Sequence, residues 1–156
     1  MALWLATTAP VAAAETQAAP SLLDMIELWL GANFSLAPAA EPRLMTVPDA
    51  RLVEIRYGPA SAVAPGDVMA AYDDHSRTIY LMHGCTGRSP AELSVLVHEM
   101  VHHLQASADM RFACPAEREE LAYRAQDAWL QLFDLDLKSA FGIDRTTVLI
   151  ATVCTY

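Results

Sequence analysis

Positive charge is scarce in this chain: ten Lys and Arg stand against nineteen Asp and Glu, for a net charge of −9 with histidine neutral. The ten are scattered singly or beside carboxylates, so there is no basic stripe of the kind that neutralises a phosphate backbone, and no nucleic-acid partner is expected. Long apolar runs are missing too. None approaches the roughly eighteen residues that a membrane span requires, so no span is expected. Cysteine occurs only as Cys85, Cys114 and Cys154, never as Cys-x-x-Cys. That disfavours a thiolate metal cluster and suits an exported protein with one disulfide. A Cys85–Cys114 bridge would clamp both approaches to the segment between them, leaving Cys154 odd or competing as a partner. The plain alternative is three small buried hydrophobes.

Lys and Arg are absent altogether from Met1 to Pro20. Leu3 to Ala13 makes a short apolar stretch and Ala12-Ala13-Ala14 offers small residues for a cleavage site, the pattern of a signal peptide. A disordered Ala-rich tail is the alternative. The expected layout is a leader or tail over 1–20 and one domain over 21–156, long enough to bury a core of its own. Cleavage of a leader would leave a secreted or periplasmic monomer; a mere tail would leave a cytoplasmic one.

The stretch that carries chemistry is Val95 to Gln105, which contains His98-Glu99-x-x-His102. On a helix, residues four apart share a face, so two imidazoles can meet one metal ion, while Glu99, about 100° further round, reaches a water without joining the ligands. Ser89-Pro90-Ala91-Glu92 supplies three helix-start signals at once: a capping hydroxyl, Pro at the first position and Glu three residues after the cap. Leu93, Val97, Met100, Val101 and Leu104 then cover much of the circumference. His98 and His102 sit in a narrow strip of an otherwise apolar wall, where an unpaired imidazole is costly. His103 points elsewhere and is expected to be a polar, second-layer residue.

A zinc site of this kind needs a third protein ligand. The Gly and His that metzincins carry are Gln105 and Ala108 here, which excludes that pattern. The candidates lie on a following helix opened by Cys114-Pro115. Glu119 shares an apolar arc with Ala122, Gln126, Leu130 and Phe133, whereas Glu120 joins Arg124, Asp127 and Gln131 on a solvated face. Glu119 is the favoured ligand and Glu117 the reserve.

Elsewhere the pattern gives simpler elements. Ser21 and Asp24 open a packing helix with Leu22, Leu23, Ile26, Trp29 and Leu30 on its stripe and Gly31 at its end. A strand is expected near Leu44 to Val47, and alternation over Leu52 to Tyr57 predicts another. Val68 to Tyr72 and Thr78 to Leu81 flank Asp73 to Arg77 as a hairpin. His75 in that turn and His83 after it are expected on the surface. Asp144 caps a short apolar helix through Ile150, expected in the core, with Cys154 tethering the tail.

His98-Glu99-x-x-His102 followed by Arg118-Glu119-x-x-Ala122-Tyr123-x-x-Gln126 resembles the gluzincin metallopeptidases, and is similar to small single-domain bacterial zincins over roughly Val68 to Leu132. The resemblance implies an α+β, zincin-like fold: a small antiparallel sheet or hairpin packed on the central histidine helix and a following Glu-bearing helix. It implies Zn²⁺ on His98, His102 and Glu119, Glu99 as catalytic base, and a peptide or protein substrate laid along the strand Val68 to Tyr72. Tyr123 takes the place of a residue that orients a ligand histidine. A metal-stabilised binding scaffold without turnover is the competing expectation.

Overall fold

The computed structural model describes residues 19–155, so the expected leader lies, apart from its last two residues, outside the described residues. Six helices and one three-stranded sheet make an α+β fold: α1 (Leu22–Phe34), β1 (Arg43–Val47), α2 (Asp49–Tyr57), β2 (Ala70–Asp73), β3 (Thr78–Met82), α3 (Pro90–Ser107), α4 (Glu117–Gln131), α5 (Leu137–Phe141) and α6 (Arg145–Thr152).

The central helix α3 starts where its capping box places it. Ser89 Oγ accepts the Glu92 amide at 3.1 Å, and the Glu92 carboxylate answers the Ser89 amide. That carboxylate also accepts from Thr86 and Arg88. The Thr86 hydroxyl, then the amides of Thr86 and Arg88, pull its pKa down to about 2. From this fixed start α3 runs through the core, with Val97, Val101 and Leu104 fully or almost fully buried against Leu23, Ile26 and Leu30 of α1 and Ala122 and Ala125 of α4.

The hairpin forms as the two apolar segments around a polar connection predict: β2 and β3 pair antiparallel, with Asp73 opposite Thr78. The sheet is not purely antiparallel, however. β1 adds to β3 in parallel, in the order β1-β3-β2, because the chain crosses over through α2 before reaching the hairpin. The middle strand is accordingly the buried one, with Thr78 and Ile79 fully covered.

Four expectations need correction. Leu52 to Tyr57 is not a strand but most of α2. The helix opens after Pro48, with Asp49 in its first turn, and the neighbours Leu52 and Val53 are buried together in one small cluster with Val68 and Ala71. Gly31 does not end α1; the helix continues to Phe34 and is capped by Ser35 in the left-handed region at φ 56°. A Cβ on Gly31 would stand 3.4 Å from the carbonyl oxygen of Leu36, an ordinary contact, so the position does not require glycine. Cys114 bridges Cys154, not Cys85, which is a free thiol packed against the core. Finally, α6 has its Asp144 cap but no buried residue: Leu149 and Ile150 are 61% and 74% exposed, so it is not core. The disulfide, which closes a loop of 40 residues, ties this tail to the start of α4.

Loop closure over that length predicts that Cys154→Ser lowers stability by about 2–4 kcal/mol, whereas Cys85→Ser costs about 1 kcal/mol or less. Urea unfolding under non-reducing conditions measures both, and equal losses would refute the assigned pairing.

Candidate metal centre

The face of α3 that meets α4 carries His98 and His102 one turn apart, and the first turn of α4 carries Glu119 directly opposite. His98 Nε2 lies 3.1 Å and His102 Nε2 3.2 Å from the same oxygen, Glu119 Oε2, and the two nitrogens are 3.2 Å apart. All three side chains are almost fully covered, at 11%, 6% and 10% exposure. They form a group of the kind able to hold a metal ion.

Hydrogen bonds behind each ring fix which nitrogen faces this point. Ser94 spends its proton on the Ala91 carbonyl at 2.7 Å and therefore accepts the Gln126 amide N–H at 3.3 Å. Gln126 Oε1 is thereby turned to His98 Nδ1 at 3.0 Å, which must donate. The second chain is shorter: Gln105 donates to the Arg118 carbonyl at 3.0 Å, so its Oε1 accepts His102 Nδ1–H at 3.1 Å. Both chains end on backbone carbonyls, which only accept. In the neutral rings both Nε2 atoms consequently present lone pairs, aimed with a carboxylate oxygen at a common centre.

Three acceptors so close repel one another unless a cation or a proton lies among them. Without a metal the site answers by protonation. Burial pushes His98 towards the neutral form, but the Glu119 carboxylate outweighs it and raises its pKa above the usual 6.5. Burial likewise opposes ionisation of Glu119, and the hydrogen bonds with His102 and His98 overcome it, holding that carboxyl far below its ordinary 4.5. The donor set also fits a metal. Tetrahedral ligands at about 2.0–2.2 Å from zinc stand roughly 3.3–3.6 Å apart, within a few tenths of an ångström of the edges seen here.

The site opens on a cleft of about 560 Å³ bounded by Arg56 and Tyr57 of α2, the Gly66–Ala70 segment, Tyr72 of β2, and Tyr123. Glu99 lies in it, 7% exposed, and its carboxylate makes no hydrogen bond among the described residues. A larger hollow of about 720 Å³ between α4, α5 and α6 shares Tyr123 and Ile143 with the cleft but contains none of the triad.

The other candidate residues fall outside. Glu117 is exposed and accepts the Ala113 amide, and Glu120 is exposed. His75 and His83 lie on the surface. His103 is buried and structural: Nε2 donates to the Ala40 carbonyl at 2.8 Å and Nδ1 accepts from the Tyr72 hydroxyl at 3.1 Å, with burial pushing its pKa down. Tyr123 does not orient a histidine by hydrogen bonding; its ring packs edge-on against His98 with centroids 4.9 Å apart. Gln126 and Gln105 do the orienting, and sequence reasoning missed that role for both. The available signal was a glutamine facing inward on each of the two helices that carry the triad. Arg56, whose Nη2 is 2.8 Å from Glu119 Oε1, was missed because α2 was expected to be a strand.

A family model described as "Domain of unknown function (DUF6647)" matches residues 15–156. No curated protein and no solved structure matches the chain.

The metal-free cluster carries a pH signature. The raised His98 pKa contributes stability that is complete below 6.5 and is lost as pH rises through the folded value; the lowered Glu119 pKa contributes above 4.5 and is lost on acidification. In the presence of chelator, the melting temperature of the wild type is expected to fall more between pH 6 and pH 9 than that of Glu119→Gln. Added Zn²⁺ at pH 8 is expected to restore the wild type alone. Parallel behaviour of the two proteins would contradict the assigned cluster.

Proposed function

The chain belongs to the DUF6647 family, and we propose that it works as a zinc-dependent metallopeptidase of the gluzincin kind, cleaving peptide bonds outside the cytoplasm. The observation that carries this reading is the convergence of two imidazole lone pairs and a carboxylate oxygen beside a buried, unengaged Glu99. His98, His102 and Glu119 would hold the ion. A bound Zn²⁺ supplies Lewis acidity, lowering the pKa of a coordinated water to about 7 and polarising a carbonyl.

The chain's own residues account for the rest. The Glu99 carboxylate is free to take one proton from the attacking water, whose oxygen bonds to the scissile carbonyl carbon. It returns that proton to the amide nitrogen as the C–N bond breaks, and so ends each cycle unchanged. Gln126 and Gln105 keep both Nε2 atoms pointed inward throughout.

An extended peptide suits the wall opposite. β2 is an edge strand, and the Met82 amide bonded to the Met69 carbonyl at 3.0 Å sets the ladder so that Ala71 and Asp73 face β3. Ala70 and Tyr72 therefore turn their peptide groups outward, and both line the cleft. Strand addition along this edge would present a main-chain carbonyl to the site. The Cys114–Cys154 disulfide supports an oxidising compartment.

Glu99→Gln is expected to keep the zinc-induced rise in melting temperature while peptide hydrolysis falls by about 10²–10⁴-fold. A library of unstructured peptides, with cleavage read by mass spectrometry, makes the comparison. If the wild type retains zinc yet cleaves nothing, the scaffold without turnover replaces the peptidase.

A further inference from the structure

The Glu119 carboxylate is divided between two tasks. Oε2 faces both imidazoles, while Oε1 accepts from Arg56 Nη2 at 2.8 Å. Arg56 lies in the last turn of α2, far from the histidine motif in sequence, and its guanidinium packs over the ring of Tyr57, 5.7 Å from the centroid. Among the described residues it makes the one hydrogen bond between α2 and α4. The helix that carries it is anchored separately, by Leu52 and Val53 against Val68 and Ala71.

We propose that Arg56 is a positioning residue for the metal centre: by occupying Glu119 Oε1 it restricts that carboxylate to ligation through Oε2 alone and keeps a coordination position open toward the cleft. The inference rests on the metal reading above. A carboxylate ligates a divalent ion through one oxygen or two, and two-oxygen binding fills the position a water needs. A guanidinium is always charged and offers a planar fork of donors, so it competes for the second oxygen at every working pH. It also withdraws electron density from the ligand, leaving the ion a stronger Lewis acid. A residue that merely supported the fold would do neither.

Co²⁺ separates these roles because its visible absorption is strong in four-coordinate sites and weak at higher coordination. The full chain, loaded with Co²⁺, is expected to show strong bands in the wild type. Arg56→Gln is expected to bind Co²⁺ with Kd within about threefold of wild type, since it loses a nearby positive charge as well as a positioning contact. Its bands should weaken by about threefold or more, and kcat should fall by about 10–100-fold. Arg56→Lys, which restores one charged donor, should recover at least half of the band intensity. Arg56→Met keeps the apolar stem over Tyr57 and reads the same quantity should the Gln variant fail to fold by circular dichroism. Wild-type bands in the neutral variants would overturn the inference while leaving the metal site standing. Failure of the wild type itself to take up Co²⁺ would overturn the metal reading and this inference with it.

Discussion

Two ring nitrogens and one carboxylate oxygen meet at 3.1–3.2 Å with their lone pairs directed inward, and this electrostatic conflict is what the surrounding structure exists to maintain. Tautomeric exchange cannot relieve it, because the outer nitrogens are bound through Gln126 and Gln105 to chains that end on the carbonyls of Ala91 and Arg118. Nor does water screen it, since all three side chains are nearly covered. A positive charge at the centre is the remaining solution, supplied by protons or by a metal ion.

Holding such a group inside a core has a cost that the rest of α3 shows being met. Ser94, His102, His103 and Gln105 are all buried on this helix, and each has a hydrogen-bond partner on α4, in the 35–42 loop, on β2 or within α3 itself. Glu99 is the exception: it is 7% exposed and its carboxylate makes no hydrogen bond among the described residues. Its oxygens are not sealed off, because the residue lines the cleft and solvent reaches them there. Its position on the cleft wall, beside the triad, gives the omission a chemical meaning.

What the sequence disclosed follows from how local each determinant is. The start of α3 was legible because a capping box lies within four residues, and the hairpin because two short apolar segments and the polar turn between them are contiguous. The choice of Glu119 over Glu117 and Glu120 came from a helical wheel, and the structure buries the first while exposing the others. The failures were non-local or ambiguous in period. Leu52-Val53-Glu54-Ile55 alternates imperfectly, and only packing of Leu52 and Val53 into one small cluster decides for helix. The partner of Cys114 depends on how α5 and α6 return the tail, which no spacing encodes. The apolar residues of α6 suggested core, yet the helix stays at the surface, held through the disulfide.

The division into two apolar clusters also bears on how so short a chain can build a cleft. The large cluster unites α1, α3, α4 and the inner strand residues around the three donor atoms, so displacing any donor disturbs many packed side chains. The opposite wall is held by Leu52, Val53, Val68 and Ala71, a group small enough that each large side chain contributes about 1.5–3 kcal/mol of its anchorage. The three donor atoms are thus set in the larger cluster, and the wall that a chain segment would have to pass rests on the smaller one. The Arg56–Glu119 pair joins the two sides at 2.8 Å. The carboxylate that Arg56 contacts through Oε1 is the one whose Oε2 faces both histidines.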